Sequence, residues 1–150
     1  MSTLAEVAAS GALATEEGIE RAAGAMLAHP QAECSVAHFF APGVYIRQVT
    51  MKAGTFAIGH RQKTEHVNVM LSGAVALVTE DGVKELRAPL VYVGQPGRKV
   101  GYILEDTVWL NVYATTERDI ETLEATFLEK SATSQEAERI MKKPPSERAR

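Results

Sequence analysis

Cysteine is nearly absent. Cys34 is the only one, so no disulfide can close within the chain, which fits a reducing compartment. Long apolar runs are missing too; none approaches the roughly 20 residues that cross a bilayer. The first residues lack a basic stretch followed by an apolar core, so no secretory leader is expected. Charge of one sign is also lacking. A formal net charge of −3 gives no global pull toward nucleic acid or an anionic membrane. No phosphate-cradling glycine loop, Ser-His-Asp set or paired-cysteine motif occurs. His29, Cys34 and His38 match no zinc spacing. The expectation is a soluble protein made in the cytoplasm.

What is present is enough apolar material for a core: 45% of the 150 residues, about one domain with short extensions. Three zones differ. Residues 1–42 read as an N-terminal helical extension, rich in Ala, Glu and Gly up to residue 30, with Thr15 as a helix start and His29-Pro30 as a stop. Residues 43–114 read as about eight short strands. These are Val44–Met51, Thr55–His60, Glu65–Leu71, Ala74–Thr79, Val83–Arg87, Leu90–Val93, Lys99–Leu104 and Thr107–Ala114. Gly73 and Glu105-Asp106 are read as breaks, Gln95-Pro96-Gly97 as a turn, and Asp81-Gly82 as a type I′ turn. There is no room for helices between strands, so the fold class is all-β, an antiparallel barrel or sandwich. Residues 115–150 read as a helical segment and a basic tail, with Thr116 and Thr133 heading capping boxes.

One spacing in the strand zone carries chemistry. It is Gly54, five residues, His60, one residue, Gln62, three residues, His66, six residues, Gly73. Alternate residues of a strand face one side, so His60, Gln62, Thr64, His66, Asn68 and Met70 share a face if the register is unbroken. Glu65 then points away as a surface acid. Two histidines and an amide converging in a barrel mouth can take a divalent metal through nitrogen and oxygen. They can equally be pocket histidines satisfied by neighbours. Tyr102, Trp109 and Tyr113, on nearby strands, are candidates to line the same pocket, or core residues.

The pattern resembles the first cupin motif, Gly-x5-His-x-His-x3-Glu-x6-Gly. All the spacings match, while Gln62 replaces the second His and His66 the Glu. The second motif, Gly-x5-Pro-x-Gly-x2-His-x3-Asn, fits only at Gly97; Val100 stands where the last ligand belongs. The resemblance implies a small antiparallel cupin or jelly-roll β-barrel with helical N- and C-terminal extensions. It also implies a homo-oligomer. Its cofactor is either none or one weakly bound divalent transition metal (Fe, Mn, Ni or Zn) at His60, Gln62 and His66.

Gly43-Val44-Tyr45-Ile46-Arg47, the run from Gly59 to His66, and Glu105-Asp106-Thr107-Val108-Trp109 are similar to small cupin-like proteins of tailed bacteriophages and prophages. That resemblance implies a non-enzymatic structural or accessory virion protein, with no catalytic residue. It would be made in the bacterial cytoplasm and attach to capsid, neck or tail through residues 1–30 and 131–150. The alternatives are a metal-dependent enzyme acting on a small molecule such as a sugar or nucleotide, and a ligand-binding sensor. No nucleic acid or membrane partner is expected.

Overall fold

A computed structural model describes residues 4–148. The ends of the expected extensions, Met1–Thr3 and Ala149–Arg150, lie outside the described residues.

The strand zone folds as expected in kind, but with fewer and longer strands. The strands are β1 (Ser35–Ala41), β2 (Val44–Met51), β3 (Phe56–Ile58), β4 (Arg61–Gln62), β5 (His66–Thr79), β6 (Gly82–Arg87), β7 (Leu90–Gly94), β8 (Val100–Ala114) and β9 (Leu128–Glu129). All pairings are antiparallel. The main sheet runs β1-β2-β8-β5-β6, with β3 added on β8 and β7 on β5, and β4 pairs with β9 beside it.

The two long strands close the jelly-roll barrel by bending. β5 pairs with β7 through His66–Met70 and with β6 through Ala74–Thr79, and its register against β8 shifts between Met70 and Val75. Gly73 sits at this bulge with φ +95°, a conformation that disfavours any L side chain. A Cβ there would also stand 2.3 Å from Thr107 Oγ1 and 2.5 Å from the Asp106 carbonyl oxygen. The expected breaks at Gly73 and at Glu105-Asp106 are therefore bends within continuous strands. Asp106 leaves the sheet face to accept the Ala53 N–H at 2.9 Å.

Four other local expectations are corrected. The β5–β6 hairpin pairs Thr79 with Gly82, so its loop is Glu80-Asp81, and no non-glycine φ is positive among the described residues, which rules out type I′. Helix α3 (Ile120–Phe127) is capped by Asp119 rather than Thr116, and α4 (Ala132–Lys142) by Ser131 rather than Thr133. Residues 35–41 are not helical extension but β1, joined to β2 through the Pro42-Gly43 turn. Thr15 does cap a helix, accepting the Gly18 N–H at 3.0 Å at the start of Glu16–Met26, which is α2 after the short α1 (Leu4–Ala9).

The helices dock on the barrel. Ile19 of α2 and Leu13 pack with Val100 on the outside of β8, and Leu123 of α3 packs with Tyr45 and Tyr113. The barrel interior holds Met70, Val75, Ile103 and Trp109. Arg98, only 4% exposed, ties the pieces together by donating to the Gly59 carbonyl (2.9 Å), Glu20 of α2 (3.3 Å), and Ser131 and Ser134 at the start of α4 (3.3 and 3.4 Å). The outer face of β5 and β7 stays bare: Leu71, Val91 and Val93 are each more than half exposed.

Candidate functional site

The barrel mouth opens into a cavity of about 1180 Å³ between β2, β3, β8 and α4. Strand parity supplies its walls. On β2, Arg47, Val49 and Met51 alternate into the cavity; on β8, Trp109 and Asn111 do so. Arg47 pairs with Asn111, and Asn111 with Asn68, so these residues form one row across three strands.

Beneath the lining lies a polar layer. Asn68, fully buried, accepts at Oδ1 from Trp109 Nε1 (2.9 Å) and Asn111 Nδ2 (2.7 Å). Its own Nδ2 has no partner. Gln62 Oε1 accepts the Tyr113 hydroxyl at 2.8 Å, and burial pushes the Tyr113 phenol up to about 12. The Tyr113 ring stacks on Phe127, with centroids 4.4 Å apart. His66 donates from Nδ1 to the Thr64 carbonyl at 2.9 Å, which leaves the Nε2 lone pair free to face Lys99 Nζ at 3.2 Å. Burial lowers both partners, His66 below its usual value and Lys99 to about 8. Gly94 pairs with His66 across β5 and β7. A Cβ on Gly94 would fall 2.4 Å from Asn68 Nδ2 and 3.0 Å from His66 Nε2, so only glycine leaves this layer intact.

His60 stands apart from that layer. Its Nδ1 is buried without a partner. Burial, with Arg47 and Lys130 adding to it, holds His60 at about 4, against the weaker pull of Glu138 and Glu124. Those two carboxylates are already bound by Lys130, at 2.6 Å for Glu124 and 2.8 Å for Glu138. Arg47 Nε is also buried and unpartnered, and the guanidinium has no ion pair among the described residues.

The residues expected from the sequence therefore divide. His60, Gln62 and Trp109 line the cavity. His66, Asn68, Met70 and Tyr113 are buried on the expected face but lie behind the lining. Thr64 is exposed and contributes only its carbonyl, because the chain bends there between β4 and β5. Tyr102 is 38% exposed on the outside of β8, where it pairs with Phe56, and is no part of the pocket. Arg47 and Lys99 were not among the expected site residues, whereas Asn111, expected on a nearby strand as a source of a polar group, does line the cavity. For Arg47 the signal was parity: it alternates with Tyr45 and Val49, so a charge stands on the inward face.

A divalent metal does not fit this arrangement. Gln62 Oε1 is taken by Tyr113, His66 presents Nε2 to an ammonium ion, and Arg47 adds a second positive charge. Val100 points outward under α2, and its neighbour Lys99 is the residue that faces in.

No protein-family model matches the chain, and no curated protein does. Solved structures do. A cupin domain from Bordetella pertussis Tohama I is 19% identical over 59% of this chain and 97% of its own length, with a TM-score of 0.43. KdgF from Halomonas sp. is 13% identical over 63% and 86%, with a TM-score of 0.46. An acetylacetone dioxygenase from Acinetobacter johnsonii is 11% identical over 56% and 61%, with a TM-score of 0.45. The strand order and the two bent strands make this chain an antiparallel jelly-roll β-barrel, and cupin domains are what it is similar to.

Proposed function

We propose that the protein is a ligand-binding barrel that takes a small organic carboxylate into the cavity at its mouth. The observation that carries this reading is Arg47, a cavity-lining guanidinium with a buried, unpartnered Nε and no ion pair among the described residues. The half-buried guanidinium faces the cavity with no counter-ion, and a carboxylate meets a guanidinium with two parallel hydrogen bonds. Lys99 and His60 line the same space and offer further contacts to an anion or its polar substituents.

The test is calorimetric titration of mono- and dicarboxylates into the protein at low salt, beside Arg47→Lys and Arg47→Met. Binding is expected in the wild type, weakened about 10- to 100-fold in Arg47→Met, the loss of charge-assisted hydrogen bonds worth about 1.5–3 kcal/mol. Arg47→Lys should fall between, since an ammonium cannot bond in the same fork. Absence of any carboxylate binding would end the proposal.

Two other readings rest on less. Virion attachment called for extensions left to order on a partner, yet Arg98 and Glu20 fasten α2 and α4 to each other and to the barrel; finding the protein in washed phage particles would support it. A metal-dependent enzyme would be supported by stoichiometric Fe, Mn, Ni or Zn that disappears in His60→Ala/His66→Ala.

A further inference from the structure

We propose that Lys99 is a nucleophile that forms an imine with an aldehyde or ketone carried into the cavity, with His66 taking the proton it gives up. For a ligand that also carries a carboxylate, a 2-oxo acid, this rests on the Arg47 reading above; for a neutral carbonyl compound it does not.

The geometry is that of a nucleophile with its base. Lys99 Nζ lies 3.2 Å from His66 Nε2. The Thr64 carbonyl holds the opposite ring nitrogen as a donor, so Nε2 is the acceptor and is aimed at the amine. Lys99 has no carboxylate partner among the described residues, so nothing fixes it as an ammonium ion. Burial weakens its charged form further. It lines the cavity, whereas His66 sits behind it. The absent side chain of Gly94 lets β7 pack against His66 and Asn68 without displacing the Nε2 that faces Lys99. Arg47 on β2 and Lys99 just before β8 line the same cavity, each on a long side chain. For a 2-oxo acid, whose carboxylate and carbonyl are adjacent, the ends of these two side chains converge on the one ligand, the carboxylate at Arg47 and the carbonyl at Lys99.

The step balances without an external oxidant or reductant. The Lys99 ammonium passes a proton to His66 Nε2. The freed amine pair attacks the carbonyl carbon as the carbonyl π pair moves to oxygen, giving a carbinolamine. His66 returns its proton to that oxygen, takes the extra proton from the nitrogen and passes it to the same oxygen, which leaves as water while the nitrogen pair closes the C=N bond. One carbonyl and one amine give one imine and one water.

The experiment is reductive trapping with cyanoborohydride on the full chain, followed by peptide mapping. The probes are acetaldehyde, which has no charge, and pyruvate, which has one. Acetaldehyde is expected to label Lys99 at least about tenfold faster than the exposed Lys52, since a lowered lysine presents more free amine. Lys99→Arg keeps the charge and should lose that adduct. His66→Gln should slow labelling at unchanged final yield, with a thermal melt confirming its fold. Pyruvate should label the same lysine and lose its advantage in Arg47→Met. Adducts spread over exposed lysines, with Lys99 no faster than Lys52, would overturn the proposal. Carboxylate binding without trapping would overturn it while leaving the Arg47 reading intact. Acetaldehyde labelling at Lys99 without pyruvate labelling would uphold the nucleophile and refute its extension to 2-oxo acids, the calorimetric titration deciding the Arg47 reading separately.

Discussion

Asn68→Leu tests whether the polar layer under the cavity is a structural keystone. Asn68 Oδ1 is the acceptor of two buried donors, Trp109 Nε1 and Asn111 Nδ2. Leucine is close in size but accepts nothing, so both donors lose their partner. Each buried donor left unsatisfied costs about 1–3 kcal/mol. Loss of the unpartnered Asn68 Nδ2 returns part of this, since that group is itself buried without a bond. The net expectation is about 3 kcal/mol, a fall in Tm of roughly 6–12 °C for a chain of this length. Differential scanning calorimetry measures it. A double-mutant cycle with Trp109→Phe isolates the hydrogen bond. In the double variant no indole N–H remains to be orphaned, so the combined loss should fall short of the sum by about 1–2 kcal/mol. Additivity within about 0.3 kcal/mol, or an unchanged Tm in Asn68→Leu, would refute the reasoning.

Below neutrality His60 should dominate the response to acid. Its folded value near 4 lies under the ordinary 6.5, so the unfolded chain binds more protons between them. Stability is then unaffected above 6.5 and lost as pH falls from 6.5 toward 4, by up to about 3 kcal/mol, and His60→Gln should flatten that limb of a urea-midpoint profile. Arg98→Ala should free α2 and α4 while sparing β2 and β8; hydrogen exchange that stays protected in both helices would count against the clamp. Two copies are expected to pair through the apolar patch of Leu71, Val91 and Val93. Light scattering should read a dimer that Val93→Glu converts to a monomer, and a monomeric wild type would dismiss the pairing.

The sequence shows the barrel clearly where side chains alternate against a core. β2 is legible to the residue, and the shared face of His66, Asn68 and Met70 follows from parity alone. Strand β1 is not legible, because an edge strand with one neighbour has little contrast between its faces; Phe39 is half exposed while Phe40 packs on Tyr45. Gly73 is legible as an interruption, but a bulge and a chain end leave the same mark in sequence. The site is legible only in part. Motif spacing draws attention to Val100, whereas the residue facing inward is Lys99, one position earlier, where Gly59 N donates to its carbonyl and begins the β3–β8 pairing. The bend at Thr64 detaches His60 and Gln62 from the strand that carries His66, so even numbering across it does not mean a common set of ligands. The caps at Asp119 and Ser131 were hidden by nearby threonines that also cap helices, though less well than Asp or Ser, and one of them, Thr133, bonds Glu20 of α2 instead.

Trp109 is the chain's only tryptophan, and it lines the cavity with its indole nitrogen bonded to Asn68 and its ring edge-on to Tyr92. All indole emission from the molecule therefore arises at the wall of the proposed binding space. Whatever enters that space changes the local field and solvent around a single fluorophore, and the unlabelled protein signals its own occupancy in real time.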